Sequence, residues 1–201
     1  MYDFFVRGGP LMWPILLCSV ISITIVLERF YHFYATRTRI PNIFARVKKF
    51  IQEKKADEAL KLCEGTSGHI AHILALSIHI RHRSLEEKEK LISRAGSRIL
   101  RQLDKNLRGL AIISNITPLL GLLGTVTGMI KAFMKIQELG GKVDASVLAG
   151  GIWEALITTA FGLSVAIPTL VAYHYFEGKV HNVSSQMKDM VGELVELEPG
   201  I

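Results

Sequence analysis

The sequence predicts an all-α membrane protein with three transmembrane helices and further helices outside the bilayer. Three observations lead there. Apolar residues gather in three blocks, the second of which runs 21 residues without a charge, and most of the charge lies between the first two blocks. Hydrophobic residues make up 49% of the 201 positions, and the mean hydropathy is +0.31. A soluble domain can match that composition, so the clustering is what decides.

The first block runs from about Leu11 to Leu27 and continues through Phe30, Tyr31, Phe33 and Tyr34. Its apolar stretch is at the short end for about 30 Å of hydrocarbon, and the aromatic residues suit the headgroup level. Only Arg7 is available as a basic leader, and no small-x-small cleavage site follows, so a retained span is expected rather than a signal peptide. The second block is about Leu110 to Ile130. The third is about Val147 to Phe176, with Glu154 its one carboxylate. Each is long enough to cross as a helix, which satisfies its own backbone groups in lipid.

Charge sets the orientation. The formal net charge is +6, but residues 36–110 carry 17 Lys+Arg against 8 Asp+Glu, or +9. Arg29, Arg37 and Arg39 follow span one, and Arg101, Lys105 and Arg108 precede span two, which marks this loop as cytoplasmic. The expected order is residues 1–35 for an outward N-terminus and span one, and 36–109 for a cytoplasmic helical loop. Span two takes 110–131, an outer connection 132–146, span three 147–176 and a cytoplasmic tail 177–201. Beside apolar spans, the basic excess is a topology signal, and no motif supports nucleic-acid binding. Cys18 and Cys63 fall on different sides of the hydrocarbon boundary and are not expected to pair.

The loop carries helical periodicity. Ile43, Val47, Phe50 and Ile51 recur at helical spacing, as do Ala59, Leu60 and Leu62, and Gly65 to Gly68 forms the best break. Ser84 with Glu87 forms a capping box before Leu91, Ile92, Ile99 and Leu103. That helix is expected to run on into span two. His69, His72, His79 and His82 would spread over about 140° of one helix, too broad for a metal site. No metal, cofactor or enzymatic constellation is expected.

Glu154 is the most informative position. A carboxylate inside a span costs about 2.5–3.5 kcal/mol, so it is expected to face a polar cavity or partner rather than lipid; the alternative is an interfacial Glu, with the span beginning near Leu156. Thr158 lies one turn away on the same face, Thr159 beside it, and Thr125 on the antiparallel span two at similar expected depth. Together they can line a path for protons or small cations. Gly121, Gly124 and Gly128, and then Ala155, Thr159, Gly162 and Ala166, form small-residue stripes that let spans two and three pack closely, and pack against copies of themselves. Pro118 and Pro168 sit inside those spans and affect shape only.

The segments PLLGLLGTVTGM (118–129) and GIWEALITTAFGLSVAIP (151–168) resemble the MotA/TolQ/ExbB proton-channel family. So does the opening stretch 5–29, with Gly8-Gly9-Pro10, a Trp-Pro pair and Glu28-Arg29. Three spans with the N-terminus out look like ExbB and TolQ rather than four-span MotA. The resemblance implies a homopentamer in the inner membrane around an ExbD/TolR-like single-span partner whose aspartate carries protons inward. The work would be passed to a TonB- or TolA-like protein for outer-membrane uptake. It implies that Thr125 and Thr159 are the pore threonines and Glu154 the membrane glutamate. His174 stands where the family more often has Asn. The alternatives are a TolQ-like role in envelope integrity and a non-conducting membrane scaffold.

Overall fold

The computed structural model describes residues 8–35, 40–66, 68–138 and 145–197, and among them every regular element is helical. The helices are α1 Met12–Ala35, α2 Ile40–Gln52, α3 Ala56–Glu64, α4 His69–His79, α5 Leu85–Asp104, α6 Leu107–Glu138 and α7 Ala145–Leu197. Three of them, α1, α6 and α7, are long and apolar enough to cross a membrane. The chain is a multi-pass membrane protein.

Two compact units divide the chain, residues 1–28 with 106–175 and residues 29–105 with 176–201. In the first, small residues let α6 lie against α7. A Cβ added at Gly121 would come 3.0 Å from Thr159 Cα, one at Gly128 2.9 Å from Ala155 Cβ, and one at Gly162 2.8 Å from the Thr117 carbonyl oxygen. Met12 and Ile15 of α1 are fully buried in the same unit. Away from these contacts α6 exposes Ile112, Ile116, Leu119, Leu123, Val126, Ile130 and Phe133. In water that surface would be unfavourable by about 25 cal/mol per Å², whereas lipid or another apolar face removes the penalty.

The second unit packs α2 to α5 with the ends of α1 and α7. Val47, Ala59, Leu74, Ile78 and Leu103 supply its core. Lys54 closes α2 in the left-handed region at φ 60°. The Lys55 N–H then reaches Phe50 O at 2.8 Å and the Lys54 N–H reaches Ile51 O at 3.0 Å, the Schellman arrangement that satisfies terminal carbonyls. Ser84 caps α5 as its spacing predicts, accepting from the Glu87 N–H at 3.4 Å. Arg29 is buried, and its Nη1 donates to the Leu103 carbonyl at 2.9 Å. A guanidinium is well placed there, because the last carbonyls of a helix lack intrahelical donors and carry partial negative charge.

Several expectations need correcting. The loop helix does not continue into span two: α5 ends at Asp104 and α6 begins at Leu107. Asp and Asn compete with helical backbone bonding, and Asn106 Nδ2 instead donates to Glu28 Oε2 at 2.8 Å. The helix that carries span two, Leu107–Glu138, extends past 110–131 at both ends. Lys131, the last residue of the expected span, and Lys135, in the expected outer connection, are both helical, while residues 139–144 lie outside the described residues. The tail beyond 176 is helical through Leu197. At 1.5 Å per residue α7 reaches about 80 Å, well over twice the hydrocarbon thickness. Phe176, Val180, Met187, Val191 and Leu194 are buried along one face of this extension. His82 lies past the end of α4, so the four histidines do not share one helix.

The histidine and cysteine chemistry of this unit is quiet. His69 stacks on His32 with centroids 5.9 Å apart. Burial, and then the neighbouring His32 and His72, lower its pKa, so neutral imidazole is favoured. Cys63 is pushed up to about 11, mainly by burial and then by Glu64, so its thiol stays protonated at neutral pH. Both cysteines are free. Among the described residues no group of three His, Cys, Asp or Glu could hold a metal.

Candidate functional site

The site forms where α6 and α7 touch. Glu154 lies in the first part of α7, between buried Ala155 and half-buried turns of the same helix. Its side chain is 30% exposed, and its Oε1 accepts from Lys131 Nζ of α6 at 2.8 Å. The Gly8-Gly9 turn covers the same carboxylate. Gly9 has φ +75°, and a Cβ there would stand 2.6 Å from Glu154 Oε1. Glycine is required on both counts, since a side chain is strained at that φ and would also displace the carboxylate.

Thr158 is 1% exposed and sits one turn further along α7. Its hydroxyl donates to the Gly8 carbonyl at 2.8 Å or to the Glu154 carbonyl at 2.9 Å. Thr159 points to the other side and donates to the Gly121 carbonyl of α6 at 2.7 Å. Thr125 donates to Leu122 O of its own helix at 2.7 Å. The pairings Gly128 with Ala155 and Gly124 with Thr158 set Thr125 about level with Thr158. Thr125 is therefore one turn, about 5 Å, from the level of Glu154, and not at the same depth as the sequence suggests.

The structure thus brings Glu154 and Thr158 together under the N-terminal turn, sets Thr159 across the helix contact, and leaves Thr125 apart. Each threonine hydroxyl spends its proton on a backbone carbonyl. The oxygen lone pairs remain as acceptors, so an incoming O–H, whether water or a protonated carboxylic acid, has somewhere to donate. Gly121, Gly124, Gly128, Ala155 and Gly162 all stand at the contact, and a Cβ added at Gly124 would collide with the Thr158 side chain.

Sequence reasoning missed three residues of this site. Lys131 is the last residue of the expected span two, and its place four residues past Thr127, facing an antiparallel helix, could have suggested a partner for Glu154. Gly8 and Gly9 are 150 and 145 positions from the residues they meet, and no local pattern signals that approach.

The profile of the MotA/TolQ/ExbB proton channel family matches residues 54–189. The ExbB-like 1 biopolymer transport protein of Synechocystis sp. is 32% identical over 180 residues, which cover 86% of this chain and 69% of that protein. Biopolymer transport protein exbB1 of Vibrio cholerae is 29% identical, covering 81% of this chain and 72% of its own. Biopolymer transport protein ExbB of Pseudomonas putida is 30% identical across 90% of this chain, which spans only 56% of that longer protein. These are transport and channel proteins, not enzymes. The chain belongs to the MotA/TolQ/ExbB proton channel family.

Proposed function

We propose that the chain is the channel-forming subunit of a proton-driven motor of ExbB type. It assembles as a homopentamer in the inner membrane, N-terminus periplasmic and C-terminus cytoplasmic, with the basic 36–110 segment on the cytoplasmic side. A single-span ExbD/TolR-like partner supplies a titrating aspartate, and a TonB-like protein takes up the work for outer-membrane uptake. The observation that carries this reading is a carboxylate, Glu154, set at the contact of two membrane-spanning helices with the hydroxyls of Thr158 and Thr159 within one turn. Ionisable groups in such positions are costly and mark ion paths. The biopolymer-transport names of the relatives favour the ExbB role over the TolQ-like one.

In this reading Glu154 attracts protons to the outer end of the path. The acceptor oxygens of Thr125 and Thr159 receive the O–H of the partner's protonated acid as it passes. The exposed apolar faces of α1 and α6 meet lipid and neighbouring copies. Liposomes with an inward proton gradient test it. The chain with its partner is expected to pass protons well above the rate of either alone, as followed by a pH-sensitive dye. Equal rates in all three preparations would refute the channel reading in favour of a scaffold.

A further inference from the structure

A carboxylate oxygen is a natural ligand for a hard cation. One turn along α7 from Glu154, the Thr158 hydroxyl donates to the carbonyl of Gly8 at 2.8 Å or to that of Glu154 at 2.9 Å, so those carbonyls already have a donor. Yet a cation is already present. The Lys131 ammonium lies 2.8 Å from Oε1, where a bound metal ion would compete for the same lone pairs. Lys135, one turn further on, pairs instead with Glu138 at 3.0 Å. The lysine that serves Glu154 is Lys131. Its flexible four-carbon stem lets it approach from the end of the apolar stretch without leaving the polar boundary.

We propose that Lys131 is a tethered counter-ion that occupies the cation position of Glu154 and keeps monovalent metal ions off that carboxylate. The residue determines specificity. A proton joins the carboxylate covalently and needs no coordination shell, so a nearby ammonium does not exclude it by occupancy. A sodium ion must displace the ammonium to gain the same oxygens, and the two positive charges repel each other at close range. The backbone of the Gly9 turn lies so near Oε1 that a Cβ there would stand 2.6 Å from it, which leaves little room for a hydrated ion on that side. The functional consequence rests on the proton-path reading of Glu154, but the occupancy itself can be measured without any flux.

The test is sodium binding to the detergent-solubilised full chain by 23Na NMR relaxation. Lys131→Met is expected to raise sodium affinity about tenfold or more over the wild type, a change of about one decade in Kd. Lys131→Arg, which keeps the charge, is expected to bind no more sodium than wild type. Lys131→Met with Glu154→Gln is expected to lose the gain. Lys131 is 56% exposed, so neither single change threatens the fold. Sodium binding by Lys131→Met that equals wild type overturns the proposal, as does a gain that survives Glu154→Gln. In liposomes with the partner, sodium is expected to slow proton flux through Lys131→Met and to leave wild type unaffected. Absence of wild-type flux would refute the proton path and leave the binding result to judge Lys131 by itself.

Discussion

Glu154→Ala is expected to lower partner-dependent proton flux in liposomes by about a hundredfold or more, the scale of removing a positioned proton-transfer group. The loss has two physical sources. The substitution removes the one carboxylate that the described residues place at the α6–α7 contact, and it leaves Lys131 without its 2.8 Å partner. An unpaired ammonium at the path's outer end repels incoming protons, so alanine is expected to be more damaging than removal of one hydroxyl. Thr159→Val is the milder counterpart. It deletes the bond to Gly121 O and one acceptor oxygen but leaves the local charge unchanged. Flux through Glu154→Ala that matches wild type would remove Glu154 from the mechanism.

Gly162→Leu is expected to prevent stable folding of the α6–α7 pair. A Cβ there would lie 2.8 Å from the Thr117 carbonyl and 3.2 Å from Gly121 Cα, both backbone, so relief requires moving a whole helix. Overpacking typically costs about 1–3 kcal/mol where side chains can yield, and rigid backbone raises the figure. Gly178→Leu on the same helix is the control, because nothing lies within 4 Å of that position. Thermal unfolding in detergent is expected to show a markedly lower Tm, or no folded protein, for Gly162→Leu and little change for Gly178→Leu. Equal midpoints would mean that the small-residue contact does not hold the two helices.

The parts of the fold that the sequence discloses are those with short-range physical signals. The three apolar blocks stand out because hydrocarbon demands long uncharged runs, and Ser84 and the Gly65–Gly68 break are local backbone chemistry. The glycine stripe of α6 is likewise visible, and it lies against α7 in the structure. What stayed hidden depends on tertiary pairing. The Lys131–Glu154 ion pair joins residues 23 apart, and the Thr158–Gly8 bond joins residues 150 apart. The helical register that sets Thr125 a turn from Glu154 follows from how α6 slides along α7, which composition does not encode. Arg29 shows the same limit. Its charge marks the end of an apolar span, but its burial against the Leu103 carbonyl is a product of packing. The buried face of α7 beyond residue 176 was detectable from Val180, Met187, Val191 and Leu194, but the acidic residues around it hid the period.

Cysteine accessibility in the assembled protein reports most directly on whether water, and not lipid, faces the hydroxyl-bearing strip. Cys18→Ala supplies the background, and Cys63 can remain because burial, with a smaller contribution from Glu64, keeps its pKa at about 11 and its thiol unreactive at neutral pH. In liposomes without the partner, a charged methanethiosulfonate reagent is expected to modify Thr159→Cys and Thr125→Cys. Leu119→Cys, on the exposed apolar face of α6, is expected to stay unmodified. Rapid modification at position 119 with silence at 125 and 159 would place the apolar face toward water and the threonines toward lipid, contradicting the account.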